Sequence, residues 1–158
     1  MKLFYELPSG KCLAFVARTG STVVLLAAIQ KFSRDLHPTA ANELPAGCVV
    51  VTREPLQRFC SLLWRMNTNA DEALRRMKHP VYGERRDWFQ HFRPFSSVAQ
   101  PDSVLLRFED DAVWKELDLP RWPERVGATE EMPMLTAAQE AAVRLAYADD
   151  IALWESLP

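Results

Sequence analysis

The stretch "VVVTREPLQRFCSLLWRM", residues 49–66, decides how this chain is expected to fold. Its first four residues are β-branched, which is typical of a strand, and with the preceding Cys48 they predict a buried strand over 48–52. Pro55 fits the first turn of a helix, where the missing N–H costs no hydrogen bond, so a helix is predicted over 55–66. A strand that leads directly into a helix is typical of an α/β fold.

Strand and helix patterns alternate along the rest of the chain. The predicted strands cover 11–17, 48–52 and 103–108. The predicted helices cover 22–36, 55–66, 70–78, 83–91, 110–117 and 136–157, and Thr136 with Gln139 forms a capping box at the start of the last one. This alternation predicts a single domain over 1–158 with an α/β fold, a three-layer parallel sheet with covering helices.

The distribution of charge favours a small anionic ligand over a nucleic acid. Residues 53–93 carry nine Arg and Lys against five Asp and Glu, a balance of +4, whereas residues 108–158 carry four against twelve, a balance of −8. The acidic final third would repel the phosphates of DNA or RNA, so no nucleic-acid partner is expected. The basic middle segment suits a small polyanion.

Neither a membrane span nor a secretion signal is expected. No apolar run approaches the ~20 residues that a membrane helix needs, and the N-terminal stretch "MKLFYELPSGK" has no signal-peptide core. These features predict a cytoplasmic protein. The three cysteines, Cys12, Cys48 and Cys60, lie in apolar runs without metal-ligand spacing, which predicts reduced, packed thiols and no metal site.

The turn after the first predicted strand has the composition of an anion-binding loop. In "RTGST" (18–22), Gly20 allows backbone N–H groups to face an anion, Arg18 adds a cation, and Ser21 and Thr22 add hydroxyl donors at a helix N-terminus. It is not a Walker A sequence, because G-x-x-x-x-G-K-[ST] is absent. A turn with only a helix-capping role would have the same composition.

Arg53 follows the second predicted strand at the same edge of the sheet as Arg18, because parallel strands have their carboxyl ends at one edge, where ligands of such sheets bind. Ser61 follows on the next helix. An arginine folded back along that helix could share one anion with the serine hydroxyl. The alternative is a surface arginine and a serine bonded to its own helix backbone. Two such sites together would describe one ligand with phosphates at both ends.

The chain resembles the sulfotransferases that use 3′-phosphoadenosine 5′-phosphosulfate (PAPS), and most closely the carbohydrate sulfotransferases, which have a P-loop-kinase-like core. The matching segments follow the family's order over most of the chain. They are "RTGST" (18–22), "REPLQRFCS" (53–61), "HFRPFSS" (91–97), "LLRFEDD" (105–111) and "LTAAQEAAVRLAYADDIALW" (135–154), the last like a closing helix with Tyr-x-x-Asp-Phe. Two departures stand out: Arg18 replaces the family's usual lysine, and Glu54 replaces the commoner aspartate.

The resemblance implies a sulfotransferase that moves a sulfuryl group from PAPS to a hydroxyl acceptor, with a carbohydrate favoured, and releases 3′-phosphoadenosine 5′-phosphate (PAP) without a metal. Cofactor-binding roles carry over residue by residue. The loop residues Arg18, Thr19, Gly20, Ser21 and Thr22 would hold the 5′ end, and Arg53 with Ser61 would hold the 3′-phosphate. The loop before the last helix, with Arg121, Arg125 and Thr129, would return to the 3′-phosphate or the adenine.

The catalytic base stays open at this point. Arg18 is expected to stabilise the charge on the transferring group, although an arginine cannot readily donate its proton. His37 and His91 are the candidate bases, because a histidine titrates near neutral pH. A carboxylate such as Glu43 or Glu109 is the alternative.

Two other functions fit part of the pattern. A small nucleotide kinase would share the layout, but a Walker lysine and an evident magnesium-binding aspartate are missing from the sequence. A protein that binds PAPS or PAP without turnover would keep the cofactor-binding residues, and Arg18 is compatible with that function.

Overall fold

The computed structural model describes residues 2–78, 91–121 and 132–158. The strands in these ranges are β1 (Lys2–Glu6), β2 (Cys12–Phe15), β3 (Thr39–Ala41), β4 (Val49–Thr52) and β5 (Val104–Arg107). They form one sheet in the order β3-β1-β2-β4-β5. β2, β4 and β5 are parallel neighbours, with Leu13 opposite Val49 and Val49 opposite Val104. The predicted parallel unit is therefore confirmed, with each strand shorter than predicted.

Helices follow β2, β4 and β5, as the alternating pattern predicts. They are α1 (Ser21–Phe32), α2 (Pro55–Met66), α3 (Ala70–Lys78), α4 (Ala112–Glu116), α5 (Ala137–Ala146) and α6 (Ala148–Ser156), with a 3₁₀ turn at Phe95–Ser97. The bounds of α2 and α3 agree with the sequence prediction. The predicted helix over 83–91 lies outside the described residues except at its last position. Within the described ranges, no helix has both the length and the apolar character to cross a membrane.

The sheet has two strands that the sequence pattern did not predict. β1 pairs antiparallel with β2 and β3, so the sheet is mixed rather than wholly parallel, with β1 opposed to the other strands. β3 is only three residues long, and two of them are exposed. It lacks an apolar pattern, so its strand conformation depends on pairing with β1, a contact that local sequence does not encode.

Side chains alternate between the two faces of the sheet, and each face carries its own core. One face, with Leu13, Val49 and Val51, packs against α1 and α4. The other face, with Ala14 and Val50, packs against the 3₁₀ turn and α6. This arrangement gives the predicted three layers. A third cluster joins α2, α3 and α5 around Phe59, Leu63, Phe92 and Tyr147.

The last predicted helix is two helices, which corrects the prediction of one continuous helix over 136–157. The Thr136–Gln139 capping box is present at its start. The break lies at Tyr147, whose backbone has φ −115° and ψ 28°. Neither proline nor glycine causes it. The buried Tyr147 side chain donates its hydroxyl to the carbonyl of Phe92 at 2.7 Å, so a tertiary contact holds the break in place.

Cys12 and Cys48 form a disulfide, which corrects the prediction of reduced thiols for these two residues. Their Cα atoms are 4.6 Å apart. Since Leu13 pairs with Val49 in the parallel ladder, the residues just before them are brought side by side. The sequence separation of 36 residues gives no local signal of that pairing. Cys60 is a free, buried thiol, as predicted.

Candidate functional site

The turn between β2 and α1 has an unusual backbone. Arg18 has φ 67° and Gly20 has φ 82°, both in the left-handed region. Glycine adopts this conformation readily, whereas arginine does so at a cost in free energy. Thr19 lies fully buried between them and donates its hydroxyl to the Val16 carbonyl at 2.9 Å. The burial of Thr19 and its hydrogen bond therefore hold the turn in this conformation.

Gly20 is required at its position for two independent reasons. Its φ favours glycine, and a Cβ atom there would overlap the ring of Phe108, the first residue after β5. α1 begins at the next residue, Ser21, and among the described residues no side chain caps its N-terminus. Ser21 is half-buried and Thr22 is exposed. The first turn of α1 thus lies beside the carboxyl ends of β2 and β5, with its N–H groups and hydroxyls near the surface.

Arg18, Arg53 and Ser61 lie together at this edge of the sheet; we call these three residues the anion cluster. The Arg18 Nε donates to the Ser61 hydroxyl oxygen at 2.8 Å. Arg53 Nη1 lies 3.5 Å from the Arg18 carbonyl oxygen. The sequence interpretation paired Arg53 with Ser61, and the structure instead places Arg18 directly on Ser61 with Arg53 beside it. The residues predicted for the two ends of a ligand are therefore in one place.

Positive charge is concentrated in the anion cluster. Burial lowers the pKa of Arg18, and the nearby guanidinium groups of Arg53 and Arg65 lower it further. A bound anion would stabilise the charged form of Arg18, because the anion would offset the repulsion from the neighbouring cations. The electrostatics of the cluster therefore favour a negatively charged ligand.

Two glutamates frame the start of α2. The Glu54 carboxylate accepts from the N–H groups of Leu56 at 3.2 Å and Gln57 at 2.6 Å, which caps the helix as aspartate would. Glu109 has an oxygen 3.9 Å from Arg53 Nε and 3.5 Å from the Glu54 backbone nitrogen. Glu109, one of the predicted alternative bases, is thus the carboxylate that the fold brings to Arg53.

The two candidate histidines lie in different places. His37 is exposed and precedes β3, which begins opposite Phe4 and runs toward Lys2. It therefore lies toward the sheet edge where β2 begins, away from the anion cluster. His91 is half-buried, and its backbone carbonyl accepts from Arg58, which also bonds the turn at Ala17. Of the two histidines, His91 is the one whose backbone is linked to the turn, through Arg58.

The remaining predicted residues are at the periphery or outside the described ranges. Arg93 donates to the Ser97 hydroxyl at 2.7 Å. Arg121 is exposed and pairs with Asp111 at 2.6 Å. The predicted cofactor contacts Arg125 and Thr129 lie outside the described residues, and they stay predictions.

Sequence reasoning missed the group that holds this region together: Arg58, Tyr147 and Asp150, which we call the buried arginine network. All three are fully or almost fully buried. Arg58 donates to the carbonyl oxygens of Ala17 at 2.9 Å, His91 at 2.9 Å and Arg93 at 2.6 Å.

Asp150 supplies the negative charge of the network. One of its oxygens lies 3.9 Å from Arg58 Nη1, and its carboxylate accepts from the N–H groups of Phe95 and Ser96, each at 2.9 Å. Burial lowers the pKa of Arg58, while Tyr147 and Asp150 raise it. Burial also raises the pKa of Tyr147 to about 12. The phenol is therefore a protonated donor at neutral pH.

The sequence did contain a signal for this network. Arg58 lies on the apolar stripe of α2, at positions Pro55, Arg58, Phe59 and Leu62, and all four are buried. Asp150 follows Val143 and Tyr147 at helical spacing in the same way. A charged residue inside an apolar stripe indicates a buried, hydrogen-bonded charge, since an unpaired one would be too costly.

No protein-family model matches this chain, and no curated protein or solved structure matches it either. Inference about function therefore depends on the site itself. Among the described residues, no group of three or more His, Cys, Asp or Glu side chains is arranged to hold a metal ion. The donors gathered at the site are guanidinium, hydroxyl and amide groups, which are ligands for phosphate and sulfate.

Proposed function

We propose that this protein is a PAPS-dependent sulfotransferase of the carbohydrate type, built on a P-loop-kinase-like core. The single observation that carries the proposal is the anion cluster: Arg18, Arg53 and Ser61 come from two separate family-like motifs and meet at the carboxyl edge of β2 and β4. The two motifs are far apart in the sequence, so the meeting of their residues in space supports the proposal.

The donor set fits the anionic groups of PAPS. Arg18 and the first turn of α1, from Ser21 onward, would bind the 5′-phosphosulfate through guanidinium, hydroxyl and amide donors. Arg53 and Ser61 would bind the 3′-phosphate. Gly20 contributes by letting the chain turn against Phe108, where any side chain would overlap the ring.

PAPS supplies the sulfuryl group: the acceptor oxygen forms a bond to sulfur as the bond to the 5′-phosphate oxygen breaks, and PAP leaves. Arg18 would stabilise the negative charge that grows on the leaving phosphate. It would do so by fixed positive charge, because its proton is not readily transferred. A base must accept the hydroxyl proton. Glu109 is at the correct sheet edge, and His91 lies in the segment that Arg58 ties to the turn.

A second candidate function is binding of PAPS or PAP without turnover. Two observations favour it: Arg18 stands where the family usually has lysine, and His37 lies toward the opposite edge of the sheet. Binding and turnover have to be measured separately to distinguish the two functions.

The test of the proposal is calorimetric titration of the protein with PAP, with ATP and magnesium as the control. We expect PAP to bind without magnesium and more tightly than ATP. Arg53→Ala and Ser61→Ala should each weaken PAP binding by about tenfold, equivalent to about 1.4 kcal/mol, because each removes a donor to a charged ligand. Arg34→Ala is the matched control, since Arg34 is exposed just beyond the far end of α1.

Two results would contradict the proposal. One is a parent protein that does not bind PAP, or that prefers ATP with magnesium. The other is unaltered PAP affinity in both Arg53→Ala and Ser61→Ala. Incubation of the PAP-binding protein with PAPS and a panel of sugars then separates the enzyme from the binding protein, through release of PAP that depends on the sugar.

A further inference from the structure

Two arginine hydrogen bonds run in opposite directions between the turn and α2. Arg58 and Ser61 are three residues apart on α2 and therefore lie on one face of the helix. Arg58 Nε donates to the carbonyl of Ala17 at 2.9 Å, and the next residue of the turn, Arg18, donates its Nε to Ser61 at 2.8 Å. One face of α2 thus holds both neighbours, Ala17 through its carbonyl oxygen and Arg18 through its side chain.

This arrangement explains how Arg18 keeps its left-handed backbone. At φ 67°, Arg18 is in a conformation that a non-glycine residue adopts only when its surroundings impose it. Arg58 holds the carbonyl oxygen of Ala17, in the peptide group that immediately precedes Arg18. The orientation of that peptide determines where the Arg18 side chain starts. The fully buried side chain of Arg58 thus acts on the direction of the half-buried Arg18 side chain through the Ala17–Arg18 peptide group.

Arg58 also reaches the segment of residues 91–96. Its Nη2 donates to the carbonyl oxygens of His91 and Arg93. Tyr147 donates to the carbonyl of Phe92, and Asp150 accepts from the N–H groups of Phe95 and Ser96. Three buried side chains, those of Arg58, Tyr147 and Asp150, therefore hold the backbone of this segment. Arg58 bonds both this segment and the turn after β2.

We propose that Arg58 is a positioning residue that sets the Arg18 guanidinium for anion binding and ties the turn to the 91–93 segment. The identity of the anion rests on the proposed function; the positioning of Arg18 does not. Arg58 itself is enclosed by protein and would not contact the ligand.

Arg107 is a matched control for Arg58. It likewise donates its Nη2 to two backbone carbonyls, those of Trp154 at 2.9 Å and Leu157 at 2.8 Å. Its guanidinium also lies over an aromatic ring, 4.4 Å from the Trp154 centroid, as that of Arg58 lies 5.8 Å from the Tyr147 centroid. Its bonds tie the end of β5 to α6 and not to the turn. Arg107→Lys therefore controls for the loss of arginine bonds to backbone carbonyls at a place away from the turn, although Arg58 makes three such bonds and Arg107 two.

The first experiment measures the Arg18 side chain directly, without any ligand. The Nε–H signal of Arg18, assigned by its loss in Arg18→Lys, is followed by ¹⁵N NMR in the parent, Arg58→Lys and Arg107→Lys proteins. We expect hydrogen exchange of this Nε–H to be at least tenfold faster in Arg58→Lys, and unchanged in Arg107→Lys. A folded Arg58→Lys protein with the parent exchange rate would overturn the proposal.

A measurement on the parent protein covers the case in which Arg58→Lys does not fold. If Arg58 positions Arg18, every opening of the Arg58 bonds also releases Arg18. The Nε–H of Arg18 must then exchange no more slowly than that of Arg58. Slower exchange at Arg18 than at Arg58 would show that Arg18 keeps its position alone, and the proposal would be wrong.

The second experiment adds PAP as the probe. If the parent binds PAP, Arg58→Lys should bind it about tenfold more weakly, with no change in Arg107→Lys. Equal affinity in the parent and Arg58→Lys would contradict the positioning role. Absence of PAP binding in the parent would count against the proposed function alone, because the exchange experiment still decides whether Arg58 positions Arg18.

Discussion

The anion cluster and the buried arginine network contain the same kinds of hydrogen-bond donor in different surroundings. In the network, the Arg58 side chain is 1% exposed and bonds three backbone carbonyls. In the cluster, the Arg53 side chain is 27% exposed and makes long contacts, of 3.5 Å to Arg18 and 3.9 Å to Glu109. The donors of Arg58 are committed to the protein, whereas Arg53 keeps loose contacts and reaches solvent, so its guanidinium can bind a ligand.

The difference shows that a buried charge and an accessible charge must be tested by different measurements. Removal of a buried partner leaves an uncompensated charge and unfolds the chain more readily. Removal of a residue from the cluster should act mainly on ligand binding. Substitutions in the network and in the turn therefore test this division.

The largest effect is expected for Asp150→Ala in the network. The change removes the carboxylate near Arg58 and leaves the N–H groups of Phe95 and Ser96 without their acceptor. We expect the free energy of unfolding to fall by about 3–5 kcal/mol, measured by urea denaturation. The control is Asp149→Ala, because Asp149 is the adjacent but exposed aspartate. A loss for Asp150→Ala no greater than that of the control would refute the structural role of the network.

An intermediate effect is expected for Gly20→Ala. This substitution tests whether the turn between β2 and α1 tolerates a side chain at residue 20. The added Cβ would overlap Phe108 at a backbone φ of 82°. We expect a loss of stability of about 2–4 kcal/mol from backbone strain and overpacking together.

Gly10→Ala isolates the backbone part of that loss. Gly10 has a φ of 83°, and no atom of the described residues lies within 4 Å of the position that a Cβ would take, so only strain of about 1 kcal/mol is expected. Thermal unfolding of both variants gives the difference that arises from Phe108. In a Gly20→Ala protein that also carries Phe108→Leu, the two changes should be less than additive. Equal losses in Gly20→Ala and Gly10→Ala would show that Phe108 does not restrict the turn.

The smallest effect is expected for Tyr147→Phe, which removes one hydrogen bond from the network and keeps its ring. The Phe92 carbonyl loses its donor, and about 1 kcal/mol of stability should be lost at neutral pH. Because burial raises the pKa of Tyr147 to about 12, the folded state favours the neutral phenol. Its contribution is complete below the ordinary tyrosine pKa of about 10 and is lost as the pH rises toward 12.

Urea denaturation at several alkaline pH values checks this sign. Stability of the parent should decline between about pH 10 and about pH 12 more steeply than that of Tyr147→Phe, whose side chain does not ionise. Parallel declines in the two proteins would mean that Tyr147 ionises equally well in the folded and unfolded states.

The sequence predicted best the elements whose signals are local. α2 and α3 have the predicted bounds, and their starts follow from local signals. Pro55 and the Glu54 cap begin α2, and the Asn69 side chain accepts from backbone N–H at the start of α3. The sequence also predicted that Arg18 and Arg53 lie at the same edge of the sheet, since parallel strands bring their carboxyl ends together, whereas His37 lies toward the opposite edge. It did not predict that Arg18 rather than Arg53 contacts Ser61, a choice that depends on the left-handed turn.

Features held by distant contacts could not be predicted in detail. Arg58 bonds carbonyls 41 and 33 residues away, so its partners depend on the assembled fold. β3 likewise depends on its pairing with β1, and the break at Tyr147 depends on Phe92. For Arg58, the sequence shows only a charged residue within the apolar stripe of α2. That pattern predicts burial but does not identify the hydrogen-bond partners.

The disulfide between Cys12 and Cys48 has a consequence for the denatured chain. It closes a ring over a sequence separation of 36 residues, with the turn, α1 and β3 inside it. In the chain-entropy model, such a ring removes disorder from the unfolded ensemble equivalent to about 4 kcal/mol of stability. The ring joins β2 to β4 at the edge opposite the anion cluster. An unfolded molecule with this bond already has the two strands that carry the cluster tethered at their beginnings, so their pairing needs no search through the whole chain.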